Sequence, residues 1–244
     1  MKLGVIEAQT IHELFINRMV GLILSGKLAI GEKLPTEREL AEETKISKTA
    51  IHMALVELER LGFVEILPRK GTFVTNYSEK GTLDTLNVIM KYNGGNLTTR
   101  QIQSLFDARI AIEGSALRML INNCSPEDIE ILKSIIEEAE ECLQSSKDYP
   151  LTCLAEILFK FHHRICSLSG NLIFPLILNS FKPITLVFWE TAIQVKGKNQ
   201  NVDNLKKYLL LIKNKDLEGF LNMLSEELNL CLNYIKEREY PYIK

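Results

Sequence analysis

Between residues 9 and 26, apolar side chains fall at Ile11, Leu14, Phe15, Val20, Leu22 and Ile23, close to a helical repeat, and Gly26 is placed to end it. Residues 28–35 carry turn residues and no period. Thr36 then stands three residues before Glu39, and this spacing of a hydroxyl and a carboxylate is a capping box that opens a short helix to about Thr44. Ser47 caps a third helix, whose apolar positions Ile51, Ala54, Leu55, Leu58 and Leu61 keep the 3.6-residue period until Gly62. The period then shortens. Residues 63–67 and 71–75 are two β-prone runs around Pro68, Arg69 and Lys70, which predicts a hairpin with a basic tip.

Three helices followed by a two-stranded ribbon make a winged helix-turn-helix. From Thr82 onward the pattern is helical throughout, with helices predicted over 82–93, 98–123, 125–145, 150–169, 171–194, 201–214 and 216–238. Pro175 and Pro183 predict bends in the fifth of these. Thr98 with Gln101, and Ser125 with Asp128, have capping-box spacing or a close variant. The fold class is therefore mainly α: a winged helix-turn-helix over 1–76, a linker over 77–81, and an all-helical bundle of six to seven helices over 82–244.

The chain has 244 residues, of which 46% are hydrophobic and 25% charged, as in folded soluble chains. Its net charge is −2, and residues 1–76 alone balance to zero, which excludes a bulk polycation. Any nucleic-acid contact must use a local patch. The five cysteines are widely spaced on helical stretches and form no metal or redox couple, which fits buried thiols in a reducing cytoplasm. The N-terminus reaches Glu7 before a signal-peptide core can form. The apolar stretch 172–189 is interrupted by Pro175, Asn179, Ser180, Lys182 and Pro183, so a buried helix is expected rather than a membrane span. No Gly-rich phosphate loop, His-Glu-x-x-His or nucleophile elbow occurs.

The segment LPTEREL at 34–40, the Ser47-Lys48-Thr49 helix start and Gly71-Thr72-Phe73-Val74 closely resemble the DNA-binding domain of the GntR family of bacterial transcription regulators. The resemblance covers residues 9–75 and implies contact with double-stranded DNA at Arg38, Lys48, Thr49, His52, Arg69, Lys70 and Gly71. The residue types agree, since cations and hydroxyls gather at the start of the third helix and the wing tip. Lys48 and His52 stand where the family usually carries Arg, and neither can bond guanine in the bidentate way Arg does. The operator sequence is therefore left open.

In the second half, LFDARIAIE at 105–113, FHHRICSLSGN at 161–171 and DLEGF at 216–220 resemble the all-helical effector-binding (FCD) domain of the FadR subfamily. Helical spacing puts Arg109 and Glu113 on the apolar face of helix 98–123, where a charge needs a partner. That partner is either the other member of the pair or a ligand anion. Many members of the subfamily hold a divalent metal through an Asp and three His. The matching positions here are Leu158, His162, Leu205 and Glu227, so the resemblance implies no metal and no other cofactor.

Arg109, Glu113, His162 and Glu227 are the expected effector-binding residues. With Leu158, Leu205, Phe161, Phe174 and Phe181 nearby, a rather apolar cavity is expected, open to an organic acid or an acyl-CoA-like ligand. The resemblance implies a cytoplasmic homodimeric regulator, most simply a repressor, on an inverted-repeat operator and away from membranes. Two alternatives differ in class: an enzyme with a helical domain tethered to DNA, using His162, His163 and Glu227, and a structural DNA-binding dimer that takes no ligand.

Overall fold

The computed structural model describes residues 10–92, 99–144 and 151–237. The chain divides into two compact units, Met1–Gly94 and Gly95–Lys244.

In the first unit, helix α1 (Ile11–Leu24) starts at a Thr10–Glu13 capping box. Helix α2 (Glu37–Thr44) starts at the Thr36–Glu39 box, where the Thr36 amide donates to the Glu39 carboxylate at 2.7 Å. Helix α3 (Lys48–Arg60) is capped by Ser47, whose hydroxyl accepts from the Ala50 amide. Strands β1 (Val64–Leu67) and β2 (Gly71–Val74) pair antiparallel, with Val64 opposite Val74 and Leu67 opposite Gly71. Val20, Ile51, Leu55, Leu58 and Phe63 are sealed between the helices and this ribbon.

Residues 31–34 do more than turn. The Gly31 amide donates to the Val74 carbonyl, the Val74 amide to Glu32 and the Leu34 amide to Thr72. Lys33 thereby forms an antiparallel bridge with Phe73, so β2 is paired on both sides. This stretch lacks the alternation that marks a strand, because Gly31, Glu32 and Lys33 are all exposed and only Leu34 is buried.

The expected linker 77–81 contains a short helix, α4 (Tyr77–Lys80), and α5 (Leu83–Tyr92) follows. Helix 82–93 was expected in the C-terminal bundle, but α5 packs on the first unit. The Thr85 hydroxyl donates to the Leu61 carbonyl at 2.6 Å, Arg60 pairs with Asp84 at 2.6 Å, and Ile89 joins the first core. Periodicity identifies an apolar face but not the core that covers it.

The second unit contains α6 (Thr99–Asn123), α7 (Pro126–Gln144), α8 (Leu151–Leu168), α9 (Phe174–Lys196), α10 (Lys198–Lys213) and α11 (Leu217–Glu237). The Ser125–Asp128 capping box forms reciprocally, whereas Thr98 of the other expected cap lies outside the described residues. Helix α9 begins three residues later than its periodicity predicts. The Asn171 side chain accepts from the Ile173 and Phe174 amides, and Pro175 sits in the first turn, where no amide is needed. Pro175 therefore starts the helix instead of bending it, and α9 continues through Pro183. Among the described residues, no helix is long and apolar enough to cross a membrane.

Candidate functional site

The first unit presents a reading face and a wing. Along α3, Ile51, Ala54, Leu55 and Leu58 are buried, which leaves Lys48, Thr49, His52, Met53 and Val56 on the open face. Met53 and Val56 are 57% and 41% exposed, and their composition alone did not suggest a role. The His52 ring is anchored, with Nδ1 2.7 Å from Glu37 Oε1 on the first residue of α2. This contact ties together two residues fifteen positions apart. Arg38, by contrast, pairs along its own helix with Glu42 at 2.8 Å, and both side chains are well exposed.

At the wing, the Lys70 amide donates to the Leu67 carbonyl at 3.0 Å, which closes a turn with Pro68 second and Arg69 third. Arg69 has φ 65°, the left-handed value that the third residue of a type II turn requires. Gly71 follows at φ 112°, a conformation that side-chain-bearing residues rarely adopt. A Cβ there would also lie 2.8 Å from Lys33 Cε. Lys33 is thus a further cation at the wing, missed because 28–35 reads as a loop.

The second unit holds a buried polar cluster. Arg109 and Glu113 lie one helical turn apart on α6, and Arg109 Nε donates to Glu113 Oε1 at 2.8 Å. The other carboxylate oxygen meets His162 Nδ1 from α8 at 2.7 Å. All three side chains are almost fully buried. Burial alone pushes the Glu113 carboxyl up, but the Arg109 guanidinium and His162 outweigh it and hold its pKa down at about 2. The Arg109 guanidinium carbon lies 5.3 Å from the Trp189 ring centroid, and His162 packs against Trp189 and Tyr208. His162 Nε2 and Trp189 Nε1 are buried without a hydrogen-bond partner.

Glu227, on α11, belongs to an adjacent network. It accepts from Lys196 Nζ at 2.8 Å, from the Asn204 side-chain amide, and from the Tyr208 hydroxyl at 2.7 Å. Burial, followed by the Glu227 charge, raises the Tyr208 pKa. A cavity of about 20 Å³ for the centre of a water molecule opens between these groups. Arg109, Trp189, Lys196, Asn201 and Glu227 supply its polar wall, with Phe188 and Leu228 among the apolar residues.

Two expectations change here. Leu158, Leu205, Phe161, Phe174 and Phe181 are not part of the cavity wall. That wall is mainly apolar as expected, but it is built from Phe188, Trp189, Ala192, Leu224, Leu228 and Cys231 around two cations and a carboxylate. Leu158 and Leu205 are sealed in the packing of the unit, because side chains without polar atoms are more stable there than on a wet wall. Of the four expected residues, Arg109 and Glu227 line the cavity, while Glu113 and His162 stand behind Arg109.

The four positions that hold metal in other subfamily members do not fit one here. Leu158 and Leu205 have no donor atom, His162 Nδ1 is engaged by Glu113, and Glu227 is engaged by Lys196, Asn204 and Tyr208. Among the described residues, no three His, Cys, Asp or Glu side chains converge as a metal site.

A winged helix-turn-helix and an all-helical unit with a charged cavity, carried on one chain, define a class of two-part regulatory proteins. The chain belongs to the GntR family of bacterial regulatory proteins, matched over residues 16–74, and carries an FCD domain over residues 104–229. The uncharacterized HTH-type transcriptional regulator YcbG of Bacillus subtilis (strain 168) is 28% identical over 171 residues, covering 70% of this chain and 66% of that protein. The fatty acid metabolism regulator protein of Shewanella pealeana is 32% identical over 164 residues, covering 67% of this chain and 64% of that protein. The chain thus spans slightly less than two thirds of the length of these curated relatives. In fold, it is similar to the solved structure of Lar, described as controlling the expression of the Listeria monocytogenes agr system, with a TM-score of 0.59 at 14% identity over 96% of this chain and 100% of that one. These relatives are named as regulators and not as enzymes.

Proposed function

We propose that the chain is a transcription regulator, most simply a repressor, whose first unit binds double-stranded DNA and whose second unit binds a small anionic effector. The exposed α3 face carries the DNA reading. A helix with one side sealed into a core and the other lined by Lys48, Thr49 and His52 matches the way such helices enter a major groove. Arg38, Arg69, Lys70 and Gly71 are assigned to the phosphates and the groove edge. By family resemblance, the protein acts in the cytoplasm as a homodimer on an inverted repeat.

The effector reading rests on the cavity wall, where Arg109 and Lys196 present two cations at a buried space. A carboxylate entering there replaces or joins Glu227 as their counter-ion. Glu113 and His162 hold Arg109 in place and do not touch the ligand directly. The space is too small for an acyl chain as it stands, which favours a short acid. The Shewanella relative's name supports a second reading, in which the bundle opens around an acyl thioester.

Thermal-shift titration of the full chain with short carboxylates and acyl-CoAs separates the readings. Stabilisation by a short acid, lost in Lys196→Ala, supports the first reading, and stabilisation by acyl-CoA alone supports the second. Gel shifts with enriched operator duplexes then test whether the stabilising ligand lowers DNA affinity. A chain that no ligand in either class stabilises or releases from DNA sinks the effector reading.

A further inference from the structure

We infer that the α3 face is built to read an A·T base pair, with His52 accepting a hydrogen bond from adenine and Met53 covering the thymine methyl. The inference rests on the DNA-reading role proposed above and adds which base pair is recognised.

It begins at the Glu37–His52 contact. A carboxylate only accepts hydrogen bonds, so a ring nitrogen 2.7 Å from Glu37 Oε1 must carry the proton. Glu37 is held in turn, because it opens α2 directly after the Thr36 cap. With the Nδ1 proton committed to Glu37, the neutral ring has one nitrogen left, and Nε2 is an acceptor. In the major groove, adenine N6 and cytosine N4 are donors, whereas guanine offers only the N7 and O6 acceptors. A reading head that ends in an acceptor therefore selects adenine or cytosine and opposes guanine. The Glu37 carboxylate beside it strengthens that opposition.

The neighbouring side chains decide between adenine and cytosine. Met53 follows His52 in the chain, and Val56 lies one helical turn beyond it on the same row. Both are apolar and more than a third exposed, and the core does not account for either. Such groups match the C5-methyl of thymine, the only apolar feature of the major-groove edge. An A·T pair offers both the amino donor and the methyl on one edge, with thymine O4 between them, and a C·G pair offers the donor without a methyl.

The test is selection of binding sites by the full chain from randomised duplexes at fixed salt, repeated with His52→Arg and Met53→Ala. Both residues are exposed, so unchanged thermal midpoints confirm that the variants are folded. The wild-type chain is expected to enrich a site with A·T at the position that responds to His52. His52→Arg should move that position toward G·C by about tenfold in relative affinity, since Arg is a bidentate guanine donor. Replacing that thymine with uracil should weaken the wild-type chain about fourfold and leave Met53→Ala unchanged. If the wild-type chain enriches a site with G·C at that position, or His52→Arg moves no position, the inference is overturned while DNA reading stands. If the wild-type chain enriches no sequence, DNA reading itself fails and the inference fails with it.

Discussion

Glu113 and His162 are 49 residues apart in sequence, yet His162 Nδ1 lies 2.7 Å from a Glu113 oxygen deep in the second unit. With Arg109 on the other oxygen, the carboxylate joins α6 to α8 and holds the guanidinium at the cavity wall. The cluster therefore has a structural and a positioning role.

Removing its centre exposes the structural role. Glu113→Ala leaves the Arg109 charge buried without its counter-ion, which should cost about 3–5 kcal/mol. Urea unfolding monitored by circular dichroism measures the loss. A loss below about 1 kcal/mol would show that Arg109 finds another partner.

The same carboxylate makes stability depend on pH. Its folded pKa is held at about 2 against an ordinary 4.5, so the unfolded chain binds its proton first as pH falls. The stabilisation is complete above the ordinary value and drains away between about pH 4.5 and 2. Thermal midpoints measured across that window should fall more steeply for the wild-type chain than for Glu113→Gln. Parallel curves would remove Glu113 from the account.

On the first unit, base-reading and phosphate-binding roles predict different signatures. Lys48→Ala and His52→Ala should each cost about 1–3 kcal/mol on the preferred operator and little on unrelated DNA. Arg69→Ala should weaken both kinds of DNA alike and lower the salt slope by about one. Gel shifts between about 50 and 200 mM salt resolve the two through counterion release. A uniform loss from the Lys48 and His52 changes would move the reading face elsewhere.

Gly71 is the most sensitive position of the wing. At φ 112°, Gly71→Ala strains the backbone and crowds Lys33, so the first unit should lose about 1–3 kcal/mol. Amide exchange in 64–74 should quicken while exchange in α6 to α11 is unchanged. Unaltered exchange in the ribbon would mean that the turn adapts.

The features legible in the sequence were those written in local spacing. The Thr36–Glu39 and Ser125–Asp128 caps and the α3 period depend on residues three or four apart and form as expected, and the Arg109–Glu113 pair, one of the two partners the spacing allowed, forms as well. What was missed depends on distant partners. The bond from Thr85 to Leu61 assigns α5 to the first core, and the pairing of 31–34 with β2 runs through three exposed residues and one buried one, which leaves no alternating pattern to read. The cavity was misread for a related reason. Leu158 and Leu205 were expected at the wall, but both are packed inside the unit, and α9, α10 and α11 instead bring Lys196, Asn201 and Glu227 to a wall whose apolar part is Phe188, Leu224 and Leu228. Met53 went unnoticed because an exposed methionine and a buried one look alike in sequence.

The turn at Pro68 and Arg69 has a kinetic consequence. A proline ring, a left-handed residue and a closing hydrogen bond leave the wing tip little backbone freedom. That entropy is lost during folding, before any phosphate is met. Ionic strength should therefore govern how often the wing lands on a duplex, while the rate of a local ordering step stays out of the association kinetics.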